Sequence, residues 1–224
     1  MKNNRIFKLV AVTSSLLALN VLFSSSQAQA ANLVINSGFE QPAINPGTFI
    51  ISNSVPGWTR SSISSGSGIE LQNNVAGSPF EGNQFLELDS NGTTNIYQDI
   101  TTSIGSIYNL SFAYSARPTV LNNSVDVYWG GNLVTKLNAN GTLLSKTNWN
   151  VYNFSLQAKG TTTRLEFRSQ GLQPSDGLGG YIDDVSVVPV SVPEPSTTLA
   201  LAIGIAFASA SKSKFFKKQD HDQT

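Results

Sequence analysis

The chain has 224 residues with 14 basic and 14 acidic side chains, no cysteine, and a single histidine, His221, close to the C-terminus. With no Cys, and no His upstream of residue 221, it lacks the parts for Ser-His-Asp or Cys-His nucleophilic chemistry and the nitrogen and sulfur ligands that zinc and copper prefer, so oxygen chemistry remains. A balanced charge excludes the strongly basic surface that nucleic-acid binding requires, and a chain without disulfides rests on its core, its hydrogen bonds or an oxygen-bound cation.

Lys2, Arg5 and Lys8 form a basic start, positions 9–23 are mostly apolar, and Ala28, Gln29 and Ala30 supply the small-x-small pattern of a signal-peptidase site. Thr13, Ser14, Ser15 and Asn20 interrupt the apolar run, which marks a cleavable signal helix and not a spanning one. The expectation is a signal peptide over residues 1–30, cut by signal peptidase, and a mature chain that starts at Ala31.

Residues 31–191 then make one domain, long enough to bury a sizeable core. Seven basic and eleven acidic residues fall within it, which again speaks against nucleic acid or an anionic membrane as partner. Its apolar residues recur at every second position. Tyr108, Leu110, Phe112 and Tyr114 alternate with polar or small residues, as do Val125, Val127 and Trp129, then Tyr152, Phe154 and Leu156, then Leu165 and Phe167. Each such strand has one face for a core and one for water, as antiparallel sheets do. Asn91-Gly92, Gly130-Gly131-Asn132 and Asn140-Gly141 mark turns that need positive φ. No long amphipathic helix is present, and about eight short strands in one domain predict an all-β, antiparallel two-sheet β-sandwich, most simply a jelly roll. Gly177, Gly179 and Gly180 are wrongly spaced for a phosphate loop and precede a strand.

Sugar recognition requires an aromatic platform for the pyranose face and planar polar groups for its hydroxyl edges. Strand parity turns Asp126 and Tyr128 away from core-facing Val127 and Trp129, and places Arg117, just past Tyr114, in register with Ser111. These three are candidate sugar contacts, with Trp58 a candidate loop platform after Pro56-Gly57. Core packing is the alternative role for Trp58 and Trp149, and plain coverage of the sheet the alternative for Tyr128. A glycosidase needs two carboxylates facing each other across a cleft; Glu81, Glu87, Asp89, Asp126 and Glu166 are available, but no spacing singles out a pair. The reading is therefore non-catalytic, with a structural or adhesive surface protein as the alternative class and a polysaccharide hydrolase as a third.

Beyond the domain, Val192, Pro193, Glu194 and Pro195 cannot continue a helix or a central strand and read as an exposed, extended linker. The apolar run 199–210 that follows would rise only about 18 Å as a helix, short of the roughly 30 Å hydrocarbon core of a bilayer. Lys212, Lys214, Lys217 and Lys218 close it, and such a cluster stays on the cytoplasmic side of a membrane. In this order the three features resemble a PEP-CTERM sorting signal over residues 192–224, lengthened by the polar end 219–224. That resemblance implies recognition by an exosortase in the inner membrane of a Gram-negative bacterium. It also implies a short transmembrane helix held transiently, cleavage near the motif, and delivery to the cell surface or an extracellular matrix.

A second resemblance spans the mature domain. Asn36-Ser37-Gly38-Phe39-Glu40, Gly57-Trp58, Glu81-Gly82-Asn83-Gln84, Leu86-Glu87-Leu88, the strand 108–114 and Tyr181-Ile182-Asp183-Asp184-Val185 occur in the order of the galactose-binding-like, carbohydrate-binding-module type of jelly roll, which they resemble. It implies that the first and last strands lie together and share a structural calcium ion, with Glu40 and Asp183 as ligands and Asp184 as a third, and that extracellular polysaccharide is the partner. An Asp pair beside apolar Val185 and Val187 is costly unless neutralised. A cation is one solution; solvation at a strand end, or pairing with Arg164 or Arg168, is the other.

Overall fold

The computed structural model describes residues 30–171 and 176–190. The expected signal peptide up to residue 29, and the expected sorting motif, apolar run and basic tail, with the two helices expected there, lie outside the described residues. Among the described residues no helix is long and apolar enough to cross a membrane.

Eleven strands build two antiparallel sheets. The six-stranded sheet runs in the order β1 (Thr48–Ser52), β3 (Ile69–Asn73), β4 (Phe85–Glu87), β11 (Tyr181–Pro189), β6 (Ile107–Ser115) and β9 (Asn150–Gln157). The five-stranded sheet runs β2 (Thr59–Arg60), β5 (Asn95–Thr101), β10 (Thr162–Ser169), β7 (Val125–Trp129) and β8 (Asn132–Leu137). The all-β sandwich expected from the two-residue periodicity is the one observed. There are more strands than expected because β2 and β4 span two and three residues, too few to display an alternation.

The predicted parity holds where the strands are long. Leu110, Phe112 and Tyr114 of β6 and Ile182, Val185 and Val187 of β11 are buried between the sheets, as are Val125 and Val127 of β7 and Leu165 and Phe167 of β10. Phe112 meets Phe167 edge-on at 5.2 Å, which ties the two layers together. Tyr152, Phe154 and Leu156 also face inward but are only half-buried, because β9 is an edge strand. Gly130 and Gly131, at φ 54° and 79°, make the two-residue hairpin between β7 and β8 that a primed turn requires. Asn140-Gly141 does not turn a hairpin. It lies in the crossover from β8 to β9, where Gly141 N donates to Val120 O at 2.8 Å and its carbonyl accepts from Thr119 N at 2.7 Å.

The first and last segments come together, as the jelly-roll resemblance implies. Leu33 N donates to Val187 O and Val185 N to Ser37 O, both at 2.9 Å, while the Asn32 amide bonds the backbone of Val185 and Val187. Trp58 is 3% exposed, stacked on Phe39 at 5.3 Å and tilted against Phe167 at 6.1 Å. Its indole N–H donates to Asn36 O, so the ring plugs the core and is not offered to a ligand as a loop platform.

Candidate functional site

The outward side chains of the five-stranded sheet stand in rows across the strands. One row runs Thr59, Tyr97, Glu166, Tyr128, Leu133, each paired in register with the next. The row beside it runs Asn95, Arg168, Asp126, Lys136, and on the other side Asp99 pairs with Arg164. A strand spacing of about 4.8 Å sets Tyr97 and Tyr128 roughly 10 Å apart, with Glu166 between them.

Each tyrosine carries an arginine. The Arg164 guanidinium lies 3.5 Å from the Tyr97 ring centre and that of Arg168 lies 4.0 Å from the Tyr128 ring centre. Arg164 donates in a fork to Asp99, Nε to Oδ1 at 2.7 Å and Nη2 to Oδ2 at 2.8 Å, which holds the Asp99 carboxyl below its usual range. Arg168 Nη2 donates to Glu166 Oε2 at 2.8 Å, and Lys136 Nζ stands 3.4 Å from Asp126 Oδ2. Three cations and three carboxylates on this face are thus paired with one another.

At the β2–β5 edge the face opens into a cavity of about 480 Å³ lined by Leu33, Ile35, Thr59, Tyr97, Asp99 and Thr101 among others. Its outer wall is fixed from two sides. The Gln98 amide bonds both backbone groups of Ile35, at 2.8 and 3.0 Å. Gly57, at φ 81°, lets the wall approach: a Cβ there would sit 2.6 Å from the Ile35 carbonyl oxygen.

Of the residues selected from the sequence, Asp126 and Tyr128 stand together on this face. Arg117 does not join them. It lies past the end of β6 and pairs with Glu87 over the outer face of the other sheet. The suggested pairing of Arg164 or Arg168 with Asp183 or Asp184 is also corrected, since these arginines meet Asp99 and Glu166. Tyr97, Asn95, Glu166, Arg164 and Arg168 are not among the sugar contacts expected from the sequence, where Glu166 enters only as an available carboxylate and the two arginines only as partners for the Asp pair. The alternation of Arg164, Glu166 and Arg168 with Leu165 and Phe167 already turns them outward, but only the strand pairing sets Tyr97 and Tyr128 on either side of them.

A second polar group lies buried on the outer face of the six-stranded sheet. Glu70 and Glu87 are cross-strand neighbours, 5% and 0% exposed. Glu87 accepts from Arg117 Nη1, Gln72 Nε2 and, at 2.9 Å, Gly179 N, while Glu70 accepts from Gln72 Nε2 at 3.0 Å. Burial, then the neighbouring Glu70 carboxylate, pushes Glu87 well above its ordinary range against the pull of Arg117; burial also raises Glu70. Beside them Phe85, Tyr181 and Trp149 form an aromatic cluster, with Trp149 donating to Ser78 O at 2.9 Å.

Glu40 and Asp183 lie on either side of Gly38 and hold one loop between them. Asp183 Oδ2 accepts from Phe80 N and Glu81 N at 2.8 and 3.2 Å, and Glu40 Oε1 from Asn83 N and Gln84 N at 2.7 and 2.9 Å. Asp183 is fully buried and its pKa is pushed up to about 7 by that burial; Asp184, at a β-bulge with φ 47°, donates its N–H to Asp183 Oδ1. Glu40 Oε2 and Asp183 Oδ1 keep lone pairs to spare. They fit a hard cation only if carbonyl or water oxygens complete the six to eight ligands that calcium takes. Among the described residues no three His, Cys, Asp or Glu side chains group around one point.

Residues 32–188 match the sequence model of the family described as "Protein of unknown function (DUF642)". A multifunctional-autoprocessing repeats-in-toxin protein of Vibrio vulnificus is 32% identical over 174 residues, which are 75% of this chain and 3% of the toxin's length. Among solved structures, an arabinose-bound α-L-arabinofuranosidase is similar at 15% identity and a TM-score of 0.49, over 73% of this chain and 27% of the enzyme. The module TmCBM61 in complex with β-1,4-galactotriose shows 16% identity and a TM-score of 0.41 over 72% of this chain and 100% of the module. A family 35 carbohydrate binding module from Clostridium thermocellum shows 12% identity and a TM-score of 0.40 over 63% and 98%.

Proposed function

The chain belongs to the DUF642 family, and from that premise we propose that its sandwich domain binds carbohydrate without catalysis, on the outer face of the five-stranded sheet. The observation that carries this reading is the row in which Tyr97 and Tyr128 flank Glu166, with a guanidinium packed on each ring. Two half-buried aromatic groups supply apolar area, and the guanidinium edges of Arg164 and Arg168 beside them supply planar hydrogen-bonding groups, which is the mix a polyhydroxylated ring requires. The test is retardation of the protein in native gels that contain polysaccharides of varied linkage and charge. Retardation by at least one of them is expected; unaltered migration in all of them would sink the proposal.

The same protein is proposed to act outside a Gram-negative cell, where such polymers occur. Support comes from the basic-apolar-small pattern that ends at Ala30 and from the ordered motif, apolar run and lysines of residues 192–224. Signal peptidase and an exosortase would then be its processing partners. Mass spectrometry of the protein recovered from its host should give an N-terminus at Ala31 and a C-terminus near Pro193 or Pro195; intact ends would refute this processing.

Calcium is proposed as a structural ligand held by Glu40 and Asp183, with Asp184 beside them. What supports it is a fully buried Asp183 carboxylate that no lysine or arginine among the described residues reaches. After chelation, calcium at a hundredfold excess over its Kd should raise the melting temperature by roughly 5 to 10 °C. The same addition to Glu40→Ala should do much less. No shift at millimolar calcium would remove the ion from the account.

A further inference from the structure

We infer that the ligand of the five-stranded face is an uncharged polysaccharide, gripped along an internal stretch of its chain; this rests on the carbohydrate-binding reading above. The charges of the face come first. Arg164, Arg168 and Lys136 are matched by Asp99, Glu166 and Asp126, each cation with its own carboxylate. Among the described residues no unpaired cation stands within these rows, exposed Lys159 lying beyond them past Leu133, and an anionic ligand would have to sit against Asp126 and Glu166, both 5% exposed and buried in the packing of the face.

The hydrogen-bonding groups left over point the same way. Arg168 Nε and Asn95 Oδ1 are both buried without a partner, and the two residues are register neighbours on β10 and β5. One is a donor and the other an acceptor. A hydroxyl serves both, accepting from Arg168 Nε and donating to Asn95 Oδ1, whereas an ionised carboxylate or a sulfate has no proton to give to the asparagine oxygen. A sugar hydroxyl, which neutral and acidic polymers both carry, thus completes this pair where a carboxylate or sulfate group does not, and the matched charges of the face are what set a neutral polymer against an acidic one.

Shape decides between a chain and a chain end. The aromatic row begins at exposed Thr59, beside the open edge cavity, and finishes at Leu133, which is 47% exposed. Both ends of the row are open to solvent, so a linear polymer can enter at one edge and leave at the other, laying successive sugars against Tyr97 and Tyr128.

The test uses the purified full-length protein in affinity gels with neutral polymers (galactan, mannan, xylan, arabinan) and with polygalacturonate, alginate and dextran sulfate, at low and at 0.5 M salt. At least one neutral polymer should retard it equally at both salt concentrations. Arg168→Lys, which keeps the charge but removes Nε, and Asn95→Ala should each weaken that retardation about tenfold. Chemical reduction of the polymer's reducing ends should leave it unchanged. Retardation by acidic polymers alone, lost at high salt, would overturn the inference while leaving carbohydrate binding intact. Loss of retardation on end reduction would overturn the internal grip. Retardation by nothing would overturn the underlying reading itself. Circular dichroism and melting curves of the two variants separate a binding defect from a folding one.

Discussion

Replacing both Tyr97 and Tyr128 by alanine is expected to lower affinity for the retained polysaccharide by about two orders of magnitude, with the fold intact. Both rings stand on the outer face of the sheet and not between the sheets, and each is half-buried, so truncation removes ligand contact more than core packing. Burying one such ring against a sugar contributes about 1 to 2 kcal/mol, hence roughly tenfold for either single variant and the product for the pair, since the rings are too far apart to contact each other. The cost to stability should stay near 1 kcal/mol per site, because an arginine loses its stacking partner but keeps its carboxylate. Tyr97→Phe and Tyr128→Phe keep the ring and should bind nearly as the natural protein does. An alanine pair that binds unchanged would place the ligand elsewhere.

Arg117→Ala is the substitution with the largest expected effect on folding. Arg117 is the cation beside a pair of buried carboxylates, and removing one partner of a buried ion pair typically costs about 3 to 5 kcal/mol because the other charge is left stranded. The loss should depend on pH, and its sign follows from the direction of the shift. Glu87 already titrates above its ordinary 4.5 in the folded protein, because of burial and of Glu70; losing Arg117 raises it further. A carboxyl whose folded pKa exceeds its unfolded one stabilises most below the unfolded value, and that contribution is lost as pH rises through the folded value. The variant should therefore stand close to the natural protein at pH 4 to 5 and fall well below it at pH 8. Urea denaturation at the two pH values measures the difference. An equal deficit at both would mean that Arg117 acts through packing alone.

The long strands were legible in the sequence because each has a wet face and a dry one: β6, β7, β9 and β10 show an uninterrupted two-residue alternation, and Gly130-Gly131 leaves no other turn open to it. The outer face of the six-stranded sheet was not legible. Glu70, Gln72 and Glu87 alternate with Leu71 and Leu86, yet they are buried under Arg117 and beside the Phe85, Tyr181 and Trp149 cluster, and no periodicity distinguishes a polar face that meets water from one roofed by other residues. Trp58 failed as a platform because a Pro-Gly turn says where the chain bends and not which way the ring points. The candidate site was half legible. Parity found Asp126 and Tyr128, but Tyr97 lies 31 positions upstream of Tyr128 on a strand that does not touch β7, and only β10 between them makes the row.

The most direct test of the carbohydrate-binding face is a titration of isotope-labelled protein with an oligosaccharide of the retained polymer, followed through backbone amide shifts. The account predicts saturable changes clustered at Asn95, Tyr97, Tyr128, Glu166 and Arg168 on β5, β7 and β10. Changes clustered instead around Glu70, Glu87 and Arg117 on the opposite face, or none at all at saturating sugar, would contradict it.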